Sequence, residues 1–210
     1  MAKHAEAKPV AMMGARDLLL LLIGLGDAAG EEGLGGITRI QKLLYLLEAE
    51  EHIRLIGGGF SFEAYKAGPY SPRIYDDLEF LENLDYICRS SSHDETAVAE
   101  ASEPEKAEVD LTFDELMGPE DMLAPDTNEI APTADSYEES RFFLTERGKR
   151  RMEELLSNES YRPFVEGIRK VKSRFAKYSL SDLLYYVYTR HPEMTTESEI
   201  KEKVLRRRPA

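Results

Sequence analysis

Residues 94 to 139 carry 16 acidic side chains against one basic, with four prolines and no sustained apolar period. Such a stretch cannot bury enough apolar surface to offset the entropy of ordering it, so it is expected to be disordered. Any folded unit must then join the segment before it to the segment after it. The formal net charge of −13 over 210 residues hides this division: residues 1 to 93 sum to −5, residues 94 to 139 to −15 and residues 140 to 210 to +7. A strongly acidic balance argues against a protein that coats nucleic acid or anionic membrane with its whole surface. Within the acidic stretch, Val109–Met117 alternates apolar and acidic residues, as segments that fold on a partner do.

Cys88 is the single cysteine, which excludes an intramolecular disulfide and fits a reducing compartment, so a cytoplasmic location is expected. At the N-terminus, Lys3, Lys8 and Arg16 before the apolar run Leu18–Leu25, with Ala28-Ala29-Gly30 after it, imitate a signal peptide. Glu6, Asp17 and Asp27 speak against that reading. A run this short also falls well below the about 20 residues a membrane-spanning helix needs. Its leucines lie all round a helix, the pattern of a segment enclosed by neighbours.

Downstream, Ile40, Leu43, Leu44 and Leu47 keep helical spacing over about Ile37 to Glu51, with Thr38 as candidate cap. Phe60, Phe62 and Tyr65 lie in a segment too irregular to assign. Gly68-Pro69 predicts a turn, Ser71 a cap and Pro72 the first residue of a third helix through Ile74, Leu78, Leu81 and Leu84. Tyr86–Arg89 and Arg141–Leu144 read as two strands that could pair, and Thr145 as the cap of a helix through Leu155. Two amphipathic stripes come next, Tyr161 to Phe175 and Leu180 to Tyr188, and Thr196 with Glu199 predicts a capping box for a last short helix.

Three helices, a hairpin and a further helix make a mainly α chain with a small β-hairpin. The order is that of a winged-helix-like N-terminal core with a long acidic insert in the wing and C-terminal helices packed on it. The domain division expected is 12–91 plus 140–210 as one unit, with 92–139 as the insert. Winged helices commonly read DNA with the third helix, but Ser71–Asp85 carries Arg73 against Asp76, Asp77, Glu79, Glu82 and Asp85. A net of −4 would be repelled by phosphates, so nucleic acid is disfavoured through that helix. Basic residues cluster instead at Arg147–Arg151, at Lys170, Arg174 and Lys177 on one helix face, and at Arg206–Arg208.

Catalytic patterns are absent. His4, His52, His93 and His191 show no metal-ligand spacing, one cysteine excludes a CxxC site, and neither Gly33–Gly36 nor Gly57–Gly59 belongs to a phosphate-binding loop motif. No cofactor is expected and the chain reads as a non-enzyme. Tyr178, Tyr185, Tyr186 and Tyr188 read as core or interhelical residues.

Ile37–Tyr45, containing Ile40-Gln41-Lys42-Leu43-Leu44-Tyr45, together with Tyr65 and Gly68-Pro69-Tyr70-Ser71-Pro72, resembles the Panacea or SocA-like antitoxin domains, which pair an LQKLLY-type helix with a GP-containing turn. The resemblance covers about residues 15 to 90 and runs on more weakly to about 190, leaving the insert outside. It implies a non-enzymatic, largely helical protein that binds a partner protein, either neutralising a toxin or delivering a target to a protease. The candidate contacts are Tyr65, Tyr70, Arg73 and Tyr75, with Gly68, Pro69, Ser71 and Pro72 shaping the turn. The alternative is a DNA-binding transcriptional regulator that uses the basic C-terminal helices or the wing.

Overall fold

The computed structural model describes residues 12–26, 33–91 and 140–206. The acidic insert with its Val109–Met117 patch, the Ala28–Gly30 stretch and Arg207-Arg208 lie outside the described residues.

The described chain is mainly helical with a small antiparallel sheet. Helix α1 (Ala15–Gly24) is the centre: Leu18 to Ile23 are all buried, as their all-round apolar pattern requires. Its last carbonyls are met by Lys172, whose Nζ donates to Leu22 O at 3.0 Å and also to Leu25 O. A buried ammonium thereby satisfies acceptors that a helix end leaves open. Strand β1 (Leu34–Gly35) leads into α2 (Ile37–Ala49), and the hairpin β2 (Glu63–Tyr65) and β3 (Gly68–Tyr70) leads into α3 (Arg73–Asn83).

Strand β4 (Ile87–Ser91) then pairs antiparallel with β5 (Ser140–Leu144), in register from Ile87↔Leu144 to Ser91↔Ser140. Strand β1 joins the far side of β5 through Leu34↔Phe142, giving the order β1-β5-β4. The two strands read from the sequence therefore pair across the acidic stretch. Thr145 caps α4 (Glu146–Ser157) by accepting from the Gly148 amide at 3.1 Å, as its position predicts. Helices α5 (Arg162–Phe175) and α6 (Leu180–Arg190) pack on α2, and α7 (Lys201–Arg206) packs on α6. One apolar core runs from Met13 through α1, α2 and α3 to Phe142, Phe175, Val187 and Val204.

Several local expectations are corrected. Gly68-Pro69 is strand rather than turn; the turn is Lys66-Ala67. Ser71 does not cap α3, because its hydroxyl donates to Phe60 O at 2.5 Å, and the helix begins at Arg73 with Pro72 before it. Thr38 lies inside α2, which has Gly36 ahead of it and no side-chain cap. Thr196 and Glu199 form no capping box, since α7 starts at Lys201 and the Glu199 amide donates to Lys66 O at 3.1 Å.

Candidate partner-binding surface

The two sequence patterns that stand apart, Ile40–Tyr45 and Gly68–Pro72, meet as one hydrogen-bonded unit. Gln41 and Lys42 point from α2 into the interior, each only 3% exposed. Gln41 Oε1 accepts from the Ser71 amide at 2.9 Å and Lys42 Nζ donates to Pro69 O at 3.0 Å. Two adjacent polar side chains are tolerable in that core because each meets a backbone group that would otherwise be buried unpaired. Together with the Ser71 hydroxyl on Phe60 O, they clamp the backbone from Phe60 to Ser71 against α2.

Gly68 completes the clamp. It has φ +85°, and a Cβ there would stand 2.9 Å from Tyr188 Cε1. Only glycine lets β3 lie so close to α6 in that conformation. The Tyr188 hydroxyl lies 2.7 Å from Ser198 Oγ, which donates to Lys66 O at 2.9 Å, and Lys66 pairs with Glu199 at 3.3 Å. Burial pushes the Tyr188 phenol up to about 12, so it stays neutral.

What this scaffold presents is tyrosine. Tyr65 on β2 and Tyr70 on β3 have ring centroids 4.8 Å apart, and Tyr70 and Tyr75 on α3 are 6.1 Å apart. Tyr65 is 41% exposed and the other two are half-buried. Burial, then the Tyr65 phenol and the Asp76 carboxylate beside it, raise Tyr70 above the ordinary tyrosine value. The stack is aromatic and carries phenol hydroxyls, the composition of a protein-contact surface.

Arg73 turns to different partners. Its Nη1 donates to Gly59 O at 2.6 Å and its Nε pairs with buried Asp77 at 3.3 Å. The four candidate contacts thus divide into a tyrosine cluster and an arginine held by an internal carboxylate. Pro69 and Ser71 are buried with Gly68 in the scaffold, while Pro72 stands exposed at the entry to α3.

Of the three cations expected to share one helix face, Lys177 lies beyond the end of α5, while Lys170 and Arg174 form ion pairs within the molecule. Arg174 Nη1 meets Glu50 Oε2 at 3.0 Å, Lys170 meets Glu51 at 2.7 Å, and Glu50 Oε1 also accepts from the Tyr186 hydroxyl at 2.8 Å and lies 3.1 Å from His191 Nε2. Neither the scattered histidines nor the spacing of the cations could reveal this cluster, because its members come from the two residues after α2, from α5 and α6, and from the residue after α6. Burial alone would raise the Glu50 carboxyl, but bonds from Tyr186 and His191 and the Arg174 charge outweigh it and hold it below its ordinary value of 4.5. A depressed folded-state pKa contributes stability that is present above the unfolded value and lost as pH falls through the folded one. Glu50→Gln is accordingly expected to flatten the loss of stability below about pH 4.5, measured as urea midpoint against pH.

Among the described residues, no group of three His, Cys, Asp or Glu side chains could hold a metal ion. Cys88 is exposed on β4. In comparison with known proteins, no family model and no curated protein matches the chain.

Proposed function

We propose that the chain is a non-enzymatic protein-binding module, similar to the SocA-like antitoxins, that neutralises or delivers a partner protein by direct contact through Tyr65, Tyr70 and Tyr75. The observation that carries this reading is the clamp of Gln41 and Lys42 on the Gly68–Ser71 backbone, with the stacked tyrosines on its outer side. It gives the paired LQKLLY and GP patterns a common physical purpose: holding a rigid aromatic surface. Rigid tyrosines supply large contact area at low entropic cost.

Three helices before a hairpin and the sheet order β1-β5-β4 support a winged-helix-like core in which β4 and β5 form the wing and residues 92–139 are its acidic insert. The third helix of such a core would serve protein rather than DNA: the segment Ser71–Asp85 sums to −4, and Phe80 on α3 and Leu84 just after it are exposed. Ion pairs within the molecule also draw on the basic residues of α4 and α5, through Arg151–Asp17, Lys170–Glu51 and Arg174–Glu50. No helix among the described residues is long and apolar enough to cross a membrane. A cytoplasmic partner is the expectation.

Affinity capture of the tagged full chain from its native cells, with nuclease treatment and mass spectrometry, tests this. One stoichiometric protein retained after nuclease supports it. Loss of all protein together with recovery of nucleic acid before treatment would favour the regulator instead.

A further inference from the structure

The tyrosine stack has a charged border. Glu63, Tyr65 and Tyr70 share one face of the β2–β3 hairpin, because alternate residues of a strand point the same way and Glu63 stands directly opposite Tyr70. Tyr65 faces Gly68 across the hairpin, so no side chain covers its ring from that position, and its ring neighbour is the diagonal Tyr70. On α3, Asp76 follows Tyr75 and lies close enough to Tyr70 to help raise its phenol, while Glu79 falls one turn on from Tyr75. Glu63, Asp76 and Glu79 are all exposed.

The cations of the same segment are engaged elsewhere. Lys66, the hairpin's one cation, pairs with Glu199 at 3.3 Å, and Arg73 is held by Asp77 and Gly59 O. Among the described residues Glu63, Asp76 and Glu79 make no ion pair, so three carboxylates border the stack without a counter-charge. At other places the chain sets an arginine over a partly exposed ring: Arg16 over Phe80 at 3.5 Å from the centroid, Arg147 over Tyr86 at 4.7 Å and Arg174 over Tyr186 at 4.8 Å. No cation among the described residues lies over Tyr65 or Tyr70. Open ring faces beside uncompensated carboxylates attract a cation twice over, through the ring quadrupole and through charge.

We infer that the stack receives an arginine side chain of the partner protein, its guanidinium laid on the exposed Tyr65 ring and its N–H groups turned to the bordering carboxylates. Arginine suits this place better than lysine, since a planar guanidinium stacks on a ring while its edge forks a carboxylate. An acidic partner segment would be repelled by the same border. The inference rests on the tyrosine stack being the contact surface and adds the chemistry of what it contacts.

Panning a displayed random-peptide library on the full chain tests it, with depletion on the full-length Tyr65→Ala/Tyr70→Ala variant. That variant keeps the acidic stretch 94–139, so peptides held by net charge alone are removed. The enriched peptides are expected to share an arginine. Replacing it by glutamine should cost about tenfold in affinity for the unchanged chain, and only about twofold for Glu63→Gln/Asp76→Asn. Both of those side chains are exposed, so the variant should keep its fold, which thermal unfolding checks. Affinity should also fall as salt rises. Enriched peptides without arginine, or an arginine whose replacement costs the same in both chains, would overturn the inference while leaving the tyrosine surface standing. Absence of any peptide that separates the unchanged chain from the tyrosine variant would also overturn it, and capture of the partner protein by that variant then decides the tyrosine surface by itself.

Discussion

Gly148→Ala is expected to destabilise the fold by about 3 kcal/mol, against the sign that helix propensity alone assigns. Glycine inside a helix is worse than alanine by about 1 kcal/mol, so a residue in the first turn of α4 would ordinarily gain from the change. Here a Cβ would stand 1.9 Å from the carbonyl oxygen of Tyr86, a backbone atom with no freedom to move aside. The same carbonyl accepts from the Thr145 amide at 3.1 Å, and Thr145 Oγ1 donates to Asp85 O at 2.6 Å while accepting from the Gly148 amide. Helix α4 is thus laid on the α3–β4 junction through Thr145, and its first turn approaches so closely that only hydrogen fits at position 148. Thermal unfolding should show a midpoint lowered by about 6–12 °C. A midpoint equal to or above that of the unchanged chain would mean that this approach is not the one described.

Breaking the clamp is the second large effect. Gln41→Leu leaves the Ser71 amide buried without an acceptor, and Lys42→Met leaves the Pro69 carbonyl without Nζ. Both replacements are close in volume, so the expected cost of about 2 kcal/mol each comes from desolvated backbone groups rather than from a cavity. The double variant should lose less than the sum, because either change releases the same segment. Hydrogen exchange at the Ser71 amide should accelerate in Gln41→Leu well beyond the change in global stability. If exchange there merely tracks global unfolding, the bond from Ser71 to Gln41 does not hold the segment.

These two sites also show what can be read from residues in order. The buried leucine helix, the Thr145 cap and the pairing of Arg141–Leu144 with the strand after the third helix are all legible, since each rests on local period or capping chemistry. The hairpin of β2 and β3 is not: Glu63-Ala64-Tyr65 shows no buried alternation, and its turn, Lys66-Ala67, lacks glycine and proline. Gly68 reads as the turn because glycine and proline punctuate chains locally, whereas its positive φ serves contact with Tyr188, distant in sequence. Ser71 reads as a cap for a similar reason, but Phe60 O competes for its hydroxyl. The candidate tyrosines are visible as residues, and their stacking requires the unseen hairpin. Arg73 groups with them by proximity in sequence, while helix geometry turns it toward Asp77. The Glu50 cluster is assembled from separate elements and leaves no local trace.

The most direct measurement is capture of the partner protein by the Tyr65→Ala/Tyr70→Ala variant beside the unchanged chain, at equal bait and moderate salt, after both are shown to unfold cooperatively at similar temperature. With Tyr65 well exposed and Tyr70 half-buried, the fold should survive the truncation while retention of the stoichiometric partner falls about tenfold or more. Undiminished retention by a folded variant would contradict the assignment of the tyrosine stack as the contact surface.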